Sequence, residues 1–127
     1  MCVDAESRPP IAPIAGGAVD GADLVLESTD GTLVAAYRSR AANPSGAGIL
    51  VLPDIRGLHP FYVELADRFA ELGMDALAVD WYGRTAGVAR RGPDFDPEPH
   101  IPQLRYDALL ADVRAAAAHL RAADHGR

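Results

Sequence analysis

The pattern of apolar and polar positions predicts an antiparallel hairpin at the start of the folded part of the chain. Apolar and polar residues alternate over residues 22–28, which is typical of a strand with one buried face. The Asp30-Gly31 pair that follows tolerates the positive φ angles of tight hairpin turns. Residues 32–38 are therefore predicted to form the returning strand, while the proline- and glycine-rich residues 1–21 are predicted to be a loose lead-in.

The segments that follow alternate between strand and helix. Residues 49–52 are apolar at every position, which is typical of a strand covered on both faces in a parallel sheet. Apolar residues recur at helical spacing over residues 61–72, and Gly73 is placed to end that helix. Residues 75–80 predict a second covered strand, and residues 103–123 predict a second helix. This order is a βαβ unit followed by a helix, so the predicted fold class is α/β.

The second predicted helix has an apolar face. We expect this face to be buried; it consists of Tyr106, Leu110, Val113, Ala117 and Leu120. On the other side of the helix, Arg105, Asp112 and Arg121 are expected to point to solvent. Residues 81–101 join this helix to the preceding strand, and a connection of that length is usually functional or disordered.

Composition and charge narrow the classes of function. Apolar residues make up 49% of the 127 residues, which is enough for a packed core. The formal charge is −6 and the basic residues form no stripe, so nucleic-acid binding is not expected. The single cysteine excludes an internal disulfide framework. Since no apolar stretch is long enough to span a membrane and no signal peptide is recognisable, we expect a soluble cytoplasmic protein.

Motifs for common cofactors and nucleophiles are absent from these residues. The sequence contains neither a P-loop nor a dinucleotide-binding fingerprint between a strand and a helix. Its four histidines show no metal-ligand spacing, so no metal or organic cofactor is expected. A Gly-x-Ser-x-Gly or Gly-x-Cys-x-Gly nucleophile elbow is likewise missing.

Candidate chemistry lies where the two covered strands end. Asp54 follows the first of these strands, and Tyr82 and Arg84 follow the second. Because ligands bind outside the carboxyl ends of strands in open α/β sheets, we expect the two loops to converge on one site. Structural roles are alternatives: Asp54 could cap the loop or helix, Arg84 could lie on the surface, and Asp80 could be a turn former at the strand end.

Three segments resemble the dienelactone hydrolase family of the α/β-hydrolases. They are Pro53-Asp54-Ile55-Arg56-Gly57, Phe69-Ala70-Glu71-Leu72-Gly73 and Asp80-Trp81-Tyr82-Gly83-Arg84. The resemblance extends over about residues 22–123. It implies the N-terminal half of an α/β-hydrolase fold, with the hairpin followed by a βαβα unit of a mostly parallel sheet. It also implies an enzyme that hydrolyses an ester or lactone, with a small carboxylate-bearing molecule as substrate.

The same resemblance implies roles for four residues. Asp54 stands where relatives usually carry a glutamate that contacts the resting nucleophile. The backbone N–H of Ile55 would be an oxyanion-hole donor, and Arg84 would bind the carboxylate of the substrate. Tyr82 would line the same pocket.

In the family, the nucleophile strand and the remaining triad residues follow the last helix found in this sequence. None of them lies within residues 22–127, so we expect a partial domain that is inactive alone. Without the nucleophile strand, the strand at residues 49–52 would be an open edge through which the chain could self-associate. The alternatives are a non-catalytic, self-associating half-domain and a small domain that binds an anionic ligand through Asp54 and Arg84.

Overall fold

The computed structural model describes residues 6–10, 12–13 and 19–125, with only the backbone for residues 123–125. About half of the predicted lead-in, residues 1–5, 11 and 14–18, therefore lies outside the described residues. Strand β1 (Val19–Glu27) begins inside the range predicted for that lead-in, and it pairs antiparallel with β2 (Leu33–Ala41). In the turn between them, Gly31 has a φ of 85° and the Thr32 N–H donates to Asp30. The predicted hairpin is confirmed, with longer strands than expected.

The predicted βαβ unit is also present. It consists of β3 (Gly48–Val51), helix α1 (Pro60–Glu71) and β4 (Asp75–Val79), and its two strands are parallel. Helix α1 ends in a Schellman motif, in which Gly73 adopts a φ of 99° and its N–H donates to Ala70. The pattern of apolar residues thus locates each element of this unit to within one residue.

The sheet has the strand order β1-β2-β4-β3, and β2 pairs antiparallel with β4. Strand β3 is therefore an edge strand, with β4 as its neighbour in the described part of the chain. The other edge strand, β1, carries the charged residues Asp20, Asp23 and Glu27, whereas β3 is entirely apolar or glycine. Charged residues protect a sheet edge from pairing, so only β1 has this protection.

Two apolar clusters cover the two faces of the sheet. The cluster on the α1 side contains Ala35, Tyr37, Val51, Leu58, Tyr62, Val63, Ala66, Ala76 and Ala78. The cluster on the opposite side contains Leu26, Val34, Ala36, Leu77, Val79, Ala116 and Leu120. Neighbouring residues of β2 and β4 alternate between the clusters because successive side chains of a strand point to opposite faces. All five residues of β4 are buried as a result.

The long connection after β4 contains a short helix, α2 (Gly83–Ala86), and a 3-10 turn at Ile101–Gln103. It leads to helix α3 (Tyr106–His125), which packs on β3 and β4. None of the helices in the described part of the chain is both long and apolar enough to cross a membrane.

The buried face of α3 differs from the one that the sequence predicts. Tyr106 is 79% exposed, whereas Asp112 is only 2% exposed and lies in line with the buried Ala116 and Leu120. The prediction for Tyr106 and Asp112 was therefore wrong. The physical reason is an ion pair between Asp112 and Arg84, which lets a carboxylate occupy a position one turn before the apolar contacts.

Candidate functional site

The loops that follow β3 and β4 meet at the carboxyl edge of the sheet, as predicted. The indole N–H of Trp81 donates to the carbonyl oxygen of Pro53 at 2.8 Å. The hydroxyl of Tyr82 donates to the carbonyl oxygen of Ile55 at 2.7 Å. Two consecutive aromatic residues of one loop therefore hold the backbone of the other loop.

Asp80, just after the end of β4, forms hydrogen bonds to both loops. Its fully buried carboxylate accepts the N–H of Leu58 at 2.8 Å and the N–H of Tyr82 at 2.9 Å. The buried guanidinium of Arg91 pairs with it, also at 2.8 Å, and donates to two carbonyl oxygens at the end of α2. Asp80 thus fixes both loops and the start of the long connection. Its bond to Tyr82, two residues on, is the turn-forming role that the sequence predicts for Asp80. The sequence gives no indication of Arg91, because no local spacing connects the two residues.

A tight turn at residues 54–57 forms the wall of the site. The N–H of Gly57 donates to the carbonyl oxygen of Asp54 at 3.1 Å, and Gly57 has a φ of 69°. A Cβ at this position would collide with the Asp80 carboxylate, so the turn requires glycine for space as well as for conformation. The side chain of Asp54 accepts the N–H of Arg56 at 2.9 Å, which closes the turn from inside.

Every polar backbone group between the Pro53 carbonyl and the Arg56 N–H is paired, except one. Trp81 binds the first carbonyl, and the Asp54 N–H donates to the Tyr62 hydroxyl at 3.1 Å. The following carbonyls accept from Gly57 and Tyr82, as described above, and the Arg56 N–H binds the Asp54 carboxylate.

The exception is the N–H of Ile55, which has no hydrogen-bond partner among the residues that the structure describes. Ile55 as a residue is 52% exposed, so the donor belongs to a residue at the surface of the loop. A fixed and unpaired backbone donor is the element that an oxyanion hole requires.

The Asp54 carboxylate forms an ion pair with Arg56 within the same turn. Burial raises the pKa of Asp54, but the hydrogen bonds and charge of Arg56 outweigh it and hold the pKa below its usual value. The guanidinium also lies 5.0 Å from the Phe61 ring and donates to the Ser7 hydroxyl at 2.8 Å. Asp54 thus caps the loop that follows it, which is the structural role that the sequence analysis gives as an alternative. Its implied contact with a nucleophile stays a prediction.

Arg84 joins the hairpin turn to α3. Its guanidinium donates two hydrogen bonds to Asp112, at 2.8 and 2.9 Å, and two to Asp30, at 3.1 and 2.8 Å. These bonds, with those to Asp112 contributing most, raise the pKa of Arg84. The structure does not join Arg84 to Asp54, although both follow strands of the same sheet edge. The binding of a substrate carboxylate by Arg84 stays a prediction.

The Tyr82 side chain is completely buried. Its ring packs against Phe95 at 5.2 Å and His100 at 5.8 Å between ring centroids. Burial, followed by the negative charge of Asp80, raises the pKa of the Tyr82 hydroxyl to about 12. The hydroxyl is therefore a neutral donor to the Ile55 carbonyl at physiological pH. Direct contact of Tyr82 with a substrate stays a prediction.

The histidines near the site have structural contacts. His59 caps α1, because its Nδ1 accepts the N–H of Phe61 at 3.0 Å. His100 Nδ1 lies 2.8 Å from the hydroxyl of Thr85. Within the described ranges, no three His, Cys, Asp or Glu side chains are grouped closely enough to hold a metal ion.

Comparisons with known proteins bear on the family and the fold of this chain. The model of the dienelactone hydrolase family matches residues 34–126. Among solved structures, a candidate dienelactone hydrolase from Klebsiella pneumoniae subsp. pneumoniae MGH 78578 superposes with a TM-score of 0.67 over 82% of this chain, at 23% identity. At 23% identity, this likeness shows a shared fold and carries no information about a shared activity. A search of curated proteins finds no significant match.

Two further structures are similar at higher identity. A dienelactone hydrolase-like promiscuous phosphotriesterase from metagenomic libraries is 27% identical over 80% of this chain, with a TM-score of 0.59. A protein designated m3DLH is 30% identical over 84% of the chain, with a TM-score of 0.56. The chain spans 43–44% of the length of these three structures. Since the family model covers most of the chain, including both loops of the site, the chain belongs to the dienelactone hydrolase family.

Proposed function

We propose that this chain supplies the oxyanion-binding half of a site that hydrolyses a carboxylic ester or lactone. The observation that carries the proposal is the N–H of Ile55. Among the described residues, it is the one polar backbone group between the Pro53 carbonyl and the Arg56 N–H that has no hydrogen-bond partner. Membership of the dienelactone hydrolase family supports the reaction class.

The proposed reaction is acyl transfer. A nucleophile attacks the ester or lactone carbonyl, and the carbonyl oxygen becomes negatively charged in the tetrahedral intermediate. The Ile55 N–H stabilises that oxygen, and this donor needs no rearrangement because the backbone groups on both sides of it are already bound. The nucleophile and its base have no counterpart in residues 1–127, so we place them in residues outside this sequence.

We further propose a substrate that carries a carboxylate, bound by Arg84. The two partners of Arg84 differ in accessibility, since Asp112 is buried whereas the side chain of Asp30 is about half exposed. A substrate carboxylate would replace Asp30 at the Nε and Nη2 atoms of Arg84. The bonds to Asp112 would keep the Arg84 side chain in place. Nε and Nη2 both donate to Oδ2 of Asp30, so this edge of the guanidinium presents two adjacent donors that a carboxylate can bind bidentately.

The test begins with the coding DNA downstream of the Arg127 codon. We expect the reading frame to encode a Gly-x-Cys-x-Gly or Gly-x-Ser-x-Gly elbow followed by an aspartate and a histidine. The protein encoded by that complete frame (the full-frame protein) should hydrolyse p-nitrophenyl acetate or a dienelactone, and replacement of the elbow nucleophile by alanine should abolish turnover. A frame that supplies no nucleophile, or a full-frame protein with no esterase activity, would contradict the proposal. A cytoplasmic location stays a prediction from the sequence.

A further inference from the structure

We propose that Trp81 and Tyr82 are positioning residues that set the direction of the Ile55 N–H. This inference rests on the proposed function, because it assigns a purpose to the geometry of the oxyanion donor. It starts from the two hydrogen bonds that the aromatic residues donate to the carbonyl oxygens of Pro53 and Ile55, at 2.8 and 2.7 Å.

These two carbonyls lie on either side of the peptide unit that contains the donor. The Pro53 carbonyl belongs to the preceding peptide unit, and the Ile55 carbonyl belongs to the following one. Fixing both planes restricts the backbone rotations at Asp54 and Ile55, which are the rotations that turn the Ile55 N–H. The turn bond from Gly57 to Asp54 also holds the carbonyl of the donor unit itself, so the Ile55 N–H is the free end of an otherwise anchored unit.

The Tyr82 side chain is held by several contacts with the core. Tyr82 is fully buried, its ring is packed against Phe95 and His100, and its N–H is bound to Asp80. The Asp80 carboxylate is held in turn by the buried Arg91. The position of the Tyr82 hydroxyl is therefore set by the core. Through its bond to the Ile55 carbonyl, the hydroxyl fixes the backbone of the turn at residues 54–57.

The experiment measures the mobility of the Ile55 N–H by nitrogen-15 relaxation in the full-frame protein. In the unsubstituted protein we expect an order parameter of about 0.85, which is typical of rigid backbone. In Tyr82→Phe, which removes only the hydroxyl, the value should fall to roughly 0.6 or below. Trp81→Phe removes the indole N–H that holds the Pro53 carbonyl in the preceding peptide unit, and it should lower the order parameter of the Ile55 N–H to a similar extent.

The matched control is Tyr37→Phe. Tyr37 is also buried and donates its hydroxyl to a carboxylate, that of Asp67 at 2.8 Å, but it does not bind the turn. This variant should lose stability while Ile55 stays rigid. An unchanged order parameter at Ile55 in both Tyr82→Phe and Trp81→Phe would overturn the positioning role.

Kinetics of the full-frame protein separate this inference from the proposed function. If both are correct, Tyr82→Phe should lower kcat by on the order of tenfold or more, with KM nearly unchanged, because only the donor geometry is altered. Greater mobility at Ile55 without any change in kcat would overturn the catalytic purpose of the positioning. Absence of esterase activity in the unsubstituted protein would instead overturn the proposed function and leave the measured rigidity intact.

Discussion

Asp80 and Arg91 form an ion pair in the interior of the protein, with Arg91 Nη2 2.8 Å from Asp80 Oδ2. Asp80 is fully buried and Arg91 is 4% exposed. A buried pair of this kind is costly to break, because removal of one partner leaves the other charge without compensation. The pair therefore connects the stability of the fold to the geometry of both loops at the site.

Asp80→Asn should destabilise the protein strongly. The variant leaves the Arg91 guanidinium buried beside a neutral amide, and we expect a loss of about 3–5 kcal/mol in the free energy of unfolding. Urea denaturation measures this loss. The control is Asp23→Asn, which breaks the exposed pair between Asp23 and Arg90 and should cost at most about 1 kcal/mol. Similar losses in the two variants would show that the Asp80 pair is no more important than a surface pair.

Arg84 and Asp112 should behave as a coupled pair. Arg84→Met leaves the Asp112 carboxylate buried without its main partner and should cost about 3–5 kcal/mol. Adding Asp112→Leu removes the buried charge, so the double variant should recover part of that loss. Denaturation of the two single variants and the double variant measures the coupling. Strictly additive losses would contradict the ion pair that explains the burial of Asp112.

Asp30 should titrate at unusually low pH. The hydrogen bond from the Thr32 backbone, followed by those from Arg84, lowers its pKa from 3.8 to about 2. Because the pKa is lower in the folded state, ionised Asp30 stabilises the fold above pH 3.8, and this stabilisation is lost as the pH falls toward 2. Carbon-13 NMR of the carboxyl group measures the titration. In Arg84→Ala the pKa should rise only partway, because the Thr32 bond remains; a complete return to 3.8 would contradict the order of these causes.

The open edge of β3 predicts self-association of the 127-residue chain. β3 is apolar and has β4 as its described neighbour, whereas the other edge strand is protected by charged residues. We expect analytical ultracentrifugation to show larger species as the concentration rises. Amide hydrogen exchange should slow in β3 on association and stay unchanged in β1. A monomer at every concentration would contradict the prediction.

The sequence predicts the elements well because each depends on local chemistry. The Asp30-Gly31 pair identifies the hairpin, and uninterrupted apolar runs identify β3 and β4. The meeting of the two loops follows from the topology of parallel strands, so it could be predicted without any knowledge of individual contacts.

The errors concern residues whose surroundings come from distant parts of the chain. Helical periodicity assigns Asp112 to solvent because it counts a carboxylate as polar, and it contains no information about a guanidinium 28 residues away. The turn-former role of Asp80 is present in its bond to the Tyr82 N–H, but its bonds to Leu58 and Arg91 depend on residues that no local pattern connects to it. The roles of Asp54, Ile55, Tyr82 and Arg84 in catalysis or substrate binding stay predictions.

Replacement of Ile55 by proline tests the central claim most directly. Proline removes the backbone N–H, and it is favoured at the second position of a tight turn, which is the position of Ile55 in residues 54–57. Ile55→Val keeps the N–H and is the matched control. In the full-frame protein we expect Ile55→Pro to lower kcat for ester hydrolysis by about 10²–10³, with Ile55→Val close to the unsubstituted protein. Equal activity of the proline and valine variants would contradict the assignment of Ile55 as the oxyanion donor.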